Sequence, residues 1–226
     1  METLQVPKTL PVMTLPRVVF FPQALLPLHI FEPRYREMLR DVLATTRVFA
    51  VARLDPSQAV RPGAKEPSNR IATVGVIRAC QKADKDTSNL LLQGVTRVEI
   101  SDVVRERPYR IIAVRPLRST AGGNHSHLEG MRHEVMRLLN VRRRLGTRAP
   151  KGMTQFLESI EDFDTFADVA AFNMCDDDEV KQRMLEELDT SRRLQLFAQQ
   201  LKGEIEVQRL RRKLQGPLPD DGIVNN

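Results

Sequence analysis

The run Leu26-Pro27-Leu28-His29-Ile30-Phe31-Glu32-Pro33-Arg34-Tyr35, continued by Arg36-Glu37-Met38-Leu39, decides how the first half of this chain folds. Upstream lies an apolar stretch broken by proline, Leu10-Pro11-Val12-Met13-Thr14-Leu15-Pro16 and then Val18-Val19-Phe20-Phe21-Pro22. Proline donates no backbone hydrogen bond and fixes φ, so it is excluded from the middle of a helix or a sheet. These prolines therefore cut the stretch into short edge strands and bends. Pro33 differs, because in the first turn of a helix its missing N–H has no partner to lose. The pattern predicts a strand, a bend and a helix from about Pro33 to Ala44. Tyr35, Met38, Leu39, Val42 and Leu43 make the apolar stripe of that helix.

Around it the first half reads as β. Arg47 to Leu54 is rich in strand formers. Asp55 to Asn69, with Pro56, Pro62, Gly63 and Pro67, reads as an exposed, mobile loop. Ile71 to Cys80 and Asn89 to Gly94 flank Asp84-Lys85-Asp86-Thr87-Ser88 and predict a hairpin. Arg97 to Val103 alternates apolar and charged residues as a half-buried strand does, and Tyr109 to Pro116 closes the series. Short strands at close spacing with one crossover helix predict a small, partly closed barrel.

Ser119-Thr120-Ala121-Gly122-Gly123-Asn124 marks a shift in composition, and helices follow it. One carries Leu128, Met131, Val135, Leu138 and Leu145 and stops at Gly146. Two more are expected over Thr154–Ile160 and Thr165–Asn173, the second opened by Asp164. Asp176 with Glu179 forms an Asp version of a capping box for a helix through Leu188. Asp189 or Thr190 caps a long last helix whose core stripe is Leu194, Phe197, Leu201, Ile205 and Leu214. Arg209, Arg211, Arg212 and Lys213 complement its C-terminal dipole before Gly216-Pro217-Leu218-Pro219. The expected organisation is an N-terminal tail (1–9), a β-barrel subdomain (10–118), a linker (119–126), a helical subdomain (127–214) and a disordered tail (215–226).

Composition sets the outer limits. At 226 residues, 41% hydrophobic and 28% charged, the chain can bury a core. No apolar run approaches the roughly 18 residues that span a bilayer, and no secretory leader is visible at Met1 to Lys8. Cys80 and Cys175 are the only cysteines and stand far apart, which fits small buried hydrophobes in a reducing cytoplasm. Residues 1–120 hold 19 Lys/Arg against 11 Asp/Glu, and the remainder 16 against 18. The basic half lacks a tight cluster or interleaved aromatics, and the chain has no tryptophan, so a solvated basic face is the expectation.

Three stretches together resemble the N-terminal substrate-recognition domain of Lon proteases. The first is Leu10 to Leu28 with its prolines. The second joins Ala72-Thr73-Val74-Gly75-Val76-Ile77 to Leu91-Leu92-Gln93-Gly94-Val95-Thr96-Arg97-Val98, similar to the family hairpin with its Gly-Val-x-Arg turn. The third links Phe166-Ala167-Asp168-Val169 to Met184-Leu185-Glu186-Glu187-Leu188-Asp189 and Arg192-Arg193-Leu194. The resemblance implies an α+β fold, an N-terminal PUA-like β pseudo-barrel with one crossover helix followed by a C-terminal helical bundle ending in a long helix. The Glu-Pro-Arg-Tyr variant looks like the short, free-standing bacterial members.

The chemistry of a Lon enzyme is not expected in this chain. An ATPase module needs a glycine-rich loop ending Gly-Lys-Ser/Thr, and no Gly-Lys dipeptide occurs. Asp176-Asp177-Asp178-Glu179 opens a helix instead of ending a strand, unlike a Mg²⁺-holding motif. Lone Ser and Lys residues do not make a protease dyad. His125, His127 and His133 lack a completing ligand set, and His133 has Glu129 one turn earlier to pair with, so no metal or cofactor is expected. His29, Glu32 and Tyr35 read as a structural bend, with Phe31 and Tyr35 packed inside, and not as an acid–base set.

The expected function is a non-catalytic protein-binding module, an adaptor or regulator in protein quality control. Its partners would be unfolded or degron-bearing protein segments, or a cytoplasmic protease. Most of the aromatics of the β half are expected in the core. The candidate substrate-binding residues, should one or two of them be exposed, are Phe20, Phe21, Phe31 and Tyr35, with Arg34 and Arg36 as a polar rim. The alternative is an RNA-binding PUA-like protein, whose affinity would fall steeply with salt.

Overall fold

A computed structural model describes residues 5–55, 57, 67–83, 86–147 and 150–215. Six strands lie in one sheet: β1 (Thr9–Leu15), β2 (Leu25–Ile30), β3 (Val48–Arg53), β4 (Ile71–Lys82), β5 (Ser88–Arg105) and β6 (Ile111–Pro116). The helices are α1 (Pro33–Leu43), α2 (His125–Arg144), α3 (Met153–Glu158), α4 (Phe163–Met174), α5 (Asp178–Glu186) and α6 (Thr190–Gln215). The expected α+β class therefore stands.

The strand order is β2-β5-β4-β3-β1-β6, and β5 also pairs with β6, which closes five strands into a barrel and leaves β2 outside it. Inside sit Leu10, Val12, Ala50, Val74, Val98 and Ile112, contributed by all five barrel strands. Alternation along the same strands sends Met13, Phe49, Val51 and Leu92 to the other face. There they join one core with α1 and the helices, so β3 is buried along its whole length.

The prolines act nearly as expected. Pro27 sits in edge strand β2, and Pro33 is the first residue of α1, whose Tyr35, Met38, Leu39 and Val42 are buried. Pro11 is the exception, since β1 lies inside the sheet. It is tolerated because Thr9–Pro11 register with β6 alone and Val12–Leu15 with β3 alone. The expected strands on either side of Gly94 are one continuous strand of 18 residues, β5. Gly94 is not a turn. It admits the Phe21 backbone, because a Cβ there would run into the Phe21 carbonyl, and its N–H donates to Ala24 O at 2.9 Å.

Most of the Asp55–Asn69 loop, part of the hairpin turn and the tail from 216 onward lie outside the described residues. The helix expected through Leu188 ends at Glu186, because Leu188 leaves the helical path to accept from Thr120 N–H at 2.8 Å. Thr120 and Asp189 form a parallel bridge there, and a side chain on Gly122 (φ +70°) would strike the Asp189 carboxylate. Asp177, not Asp176, caps α5, accepting from Glu179 and Val180 N–H. Asp162, not Asp164, caps α4. In α6, Leu194, Phe197, Leu201 and Ile205 are buried, whereas Leu214 is 86% exposed. The helix has by then run past the bundle, so Leu214 has no core to join.

Candidate functional site

Successive side chains of a strand point to opposite faces, and in β2 this sorts two sets. Leu26 and Ile30 are buried against the core, while Leu25, Pro27 and His29 face outward. Phe31 continues the outward set just past the strand, 61% exposed, with its ring stacked on His29 at 6.1 Å between centroids. The row Leu25–Pro27–His29–Phe31 therefore exposes aliphatic, ring and aromatic groups on one strand. Among the described residues β2 pairs only with β5, so no strand pairs with its other edge. Pro27 lacks an N–H at mid-edge and blunts strand addition, which leaves side chains as the means of contact.

Each polar group beside the row is already engaged. His29 Nδ1 stands 2.7 Å from Asn89 Oδ1. Glu32 pairs with Arg34 at 2.8 Å, and the Arg34 guanidinium lies 4.5 Å from the Tyr35 ring centre. Tyr35 Oη bonds the Thr14 backbone. Held apart in this way, His29, Glu32 and Tyr35 make no proton-transfer set.

Of the candidate substrate-binding residues, the structure leaves Arg34 and Phe31 at the surface; Phe31, expected inside the bend, instead continues the outward face of β2. Phe20, Phe21 and Tyr35 occupy the core, as expected of most of these aromatics, at 1%, 0% and 5% exposure, and so leave the candidate set. The Phe20 carbonyl accepts from Thr73 Oγ1 at 2.5 Å, and its ring meets Phe172 of α4 edge-on at 6.3 Å. Phe21 packs under the Arg97 guanidinium, 5.9 Å away. The Phe20 ring thus joins barrel to bundle. Reading the sequence for aromatics alone missed Leu25, Pro27 and His29, although their period-2 spacing with Phe31 carries the signal.

Farther along β5, beyond its pairing with β2, lies a buried ionic junction. Arg97 of β5 is 2% exposed and bonds both Asp168 carboxylate oxygens, at 2.8 and 2.5 Å, plus Leu185 O at 3.0 Å. Arg193 of α6 reaches the same Asp168 at 2.8 Å, Asp164 at 2.6 Å, Ser119 Oγ at 3.1 Å and the Glu187 carbonyl. Burial pushes the Asp164 carboxyl up, but Arg193 more than offsets this, so it titrates below the ordinary aspartate range. For Asp168 burial pushes upward, opposed by both guanidiniums. Charges this deep persist only when paired and hydrogen-bonded.

The histidines are likewise engaged with protein. His125 packs on Phe163 at 5.2 Å, His127 Nε2 meets Ser191 Oγ at 2.9 Å, and His133 pairs with Glu129 at 3.5 Å. Burial pushes the Cys175 thiol up to about 11. Among the described residues no helix is long and apolar enough to cross a membrane.

Residues 9–203 match the family model described as the ATP-dependent protease La (LON) substrate-binding domain. The chain is 26% identical over 224 residues to a Lon protease of Desulfosudis oleivorans, covering 97% of this chain and 27% of that protein. It is also 26% identical over 209 residues to Lon protease 2 of Myxococcus xanthus, covering 92% of this chain and 25% of that one. It thus spans about a quarter of the length of these relatives. Among solved structures it is similar to the N-terminal domain of a Mycobacterium avium complex Lon protease, with a TM-score of 0.67 at 14% identity. That likeness covers 86% of this chain and 98% of the other. A Lon N-terminal domain protein from Xanthomonas campestris gives 0.54 at 20% identity, over 83% and 95%. Neither the family match nor these likenesses supports the RNA-binding alternative.

Proposed function

The chain belongs to the ATP-dependent protease La (Lon) substrate-binding domain family, and from that premise we propose a non-catalytic module that captures unfolded or degron-bearing protein segments. It acts as an adaptor or regulator beside a cytoplasmic protease. The observation that carries this reading is the outward row Leu25–Pro27–His29–Phe31 on an edge strand, ending in an aromatic ring 61% exposed. Burying a large apolar side chain contributes about 1.5–3 kcal/mol. The row alone therefore gives weak, reversible binding, as suits a module that must release what it holds.

Titrating a labelled, permanently unfolded model protein into the chain tests the reading. The expected result is saturable binding at micromolar concentrations, competed by a second unfolded protein and not by its folded form. Binding that never saturates, or that the folded competitor removes equally, overturns it. Co-sedimentation with a Lon protease tests the adaptor role, and no retention beyond that of an unrelated domain would remove that part.

A further inference from the structure

A cleft of about 570 Å³ lies between α1, the turn after it, and the facing ends of β4 and β5. Four cations line it. Arg36 and Arg40 stand on successive turns of α1, Arg47 sits in the following turn, and Lys82 ends β4. Asp86 is the only acid among the described lining residues, and it pairs with Arg36 at 3.5 Å. Arg40, Arg47 and Lys82 are exposed and have no acidic partner among the described residues. The floor is apolar, made of Leu39 and Leu43 with half-buried Cys80. Of the four non-glycine residues with left-handed backbone among the described residues, Arg47 (φ +58°) and Asp86 (φ +61°) both line this cleft.

Like charges held in one concavity repel each other and raise the local potential, which an anionic guest relieves. The guest's chemistry follows from the walls. No aromatic side chain lines the cleft, so nucleic-acid bases would find nothing to stack on, whereas leucines below guanidiniums suit a chain bearing both carboxylates and aliphatic carbon.

Its position points the same way. Ile30 pairs with Ser88 and His29 with Asn89, so the Phe31 end of the outward row adjoins the Ser88 wall of the cleft. From Pro33, α1 carries Arg36 and Arg40 about 5 and 10 Å along its axis. An extended polypeptide advances about 3.3 Å per residue, so carboxylates about two to four residues from an apolar anchor reach these arginines.

We infer that the cleft receives the carboxylates of an acidic, unfolded polypeptide segment whose apolar anchor sits on the Leu25–Phe31 row. The inference rests on the proposed role of that row, and it narrows the substrate class to acidic segments.

The test uses fluorescence anisotropy with peptides of equal length on the full chain. One has an aromatic anchor with neutral flanks, and one has the same anchor with Glu two to four residues to either side. A single-stranded RNA of matching charge is the third probe. The variants are Arg40→Glu with Lys82→Glu, the milder Arg40→Gln with Lys82→Gln, and Phe31→Ser, each checked by thermal melting. The acidic peptide is expected to bind at least about tenfold tighter than the neutral one at low salt. That advantage should shrink as salt shortens the screening length. Charge reversal should erase it while leaving the neutral peptide within about twofold, with the Gln pair intermediate; Phe31→Ser should weaken both. Unchanged acidic preference in both charge variants overturns the inference and leaves the row's role intact. No effect of Phe31→Ser overturns the underlying reading. RNA bound more tightly than the acidic peptide, and lost on charge reversal, overturns the assignment to polypeptide.

Discussion

Two groups of cations in this molecule stand under opposite conditions. At the barrel–bundle junction, Arg97 and Arg193 are at most 2% exposed and converge on Asp168, with backbone carbonyls taking further N–H groups. In the cleft beside α1, Arg40, Arg47 and Lys82 are solvated and lack acidic partners among the described residues. A buried charge without a partner is destabilising by several kcal/mol, so the junction had to be completed within the chain. An exposed charge carries no such demand and remains available to something else. The first set holds the fold together, and the second is free to meet a partner.

The widest separation between the two sets should appear on truncating one side chain from each. Asp168→Ala strands the Arg97 guanidinium in the core and takes one of two carboxylates from Arg193, and is expected to destabilise by about 3–5 kcal/mol in chemical denaturation. Arg40→Ala or Lys82→Ala should stay within about 0.5 kcal/mol. Comparable losses would erase the distinction. Next comes Gly94→Ala, which drives a Cβ into the Phe21 carbonyl just ahead of Arg97 and is expected to cost about 1–3 kcal/mol.

A smaller effect is expected with pH. Asp164 titrates below its ordinary 3.8 in the fold, and Glu134 is drawn from 4.5 to about 2, chiefly by hydrogen bonds from Arg137 and Lys202. A lowered carboxyl stabilises fully above its unfolded value, and that contribution is lost as pH falls through the folded one. The denaturation midpoint should therefore be level near neutrality and drop below about pH 4. Asp164→Asn should flatten the drop, and the cleft variants should not. The smallest stability change belongs to Phe31→Ser, within about 0.5 kcal/mol, because its ring leans only on His29 among the described aromatic contacts.

The architecture was legible where local chemistry decides it. Pro33 opened α1 as a first-turn proline must, and the stripe of Tyr35, Met38, Leu39 and Val42 turned inward. Gly94 misled, because a glycine required by a close backbone approach looks in sequence like a glycine required by a turn. Arg97, Asp168 and Arg193 stood within the stretches that carried the family resemblance, but their pairing depends on positions 71 and 96 residues apart from Arg97, which no local pattern encodes. Most of the barrel aromatics were expected in the core, and Phe20, Phe21 and Tyr35 are there. Phe31, expected inside the bend, is exposed, because aromatic content does not say which side of a bend faces water. The row on β2 was within reach through its alternation. The cleft was not, since Arg40, Arg47 and Lys82 come from three separate elements.

The central claim is that Phe31 and its row are where an unfolded segment docks, and it is tested most directly by comparing two exposed phenylalanines. Phe31 is 61% exposed beside the β2 row, and Phe156 is 53% exposed on α3. Binding of a labelled unfolded protein should weaken about tenfold or more in Phe31→Ser, with the melting temperature unchanged, and should stay within about twofold in Phe156→Ser. Equal weakening in both variants, or none in Phe31→Ser, would contradict the account.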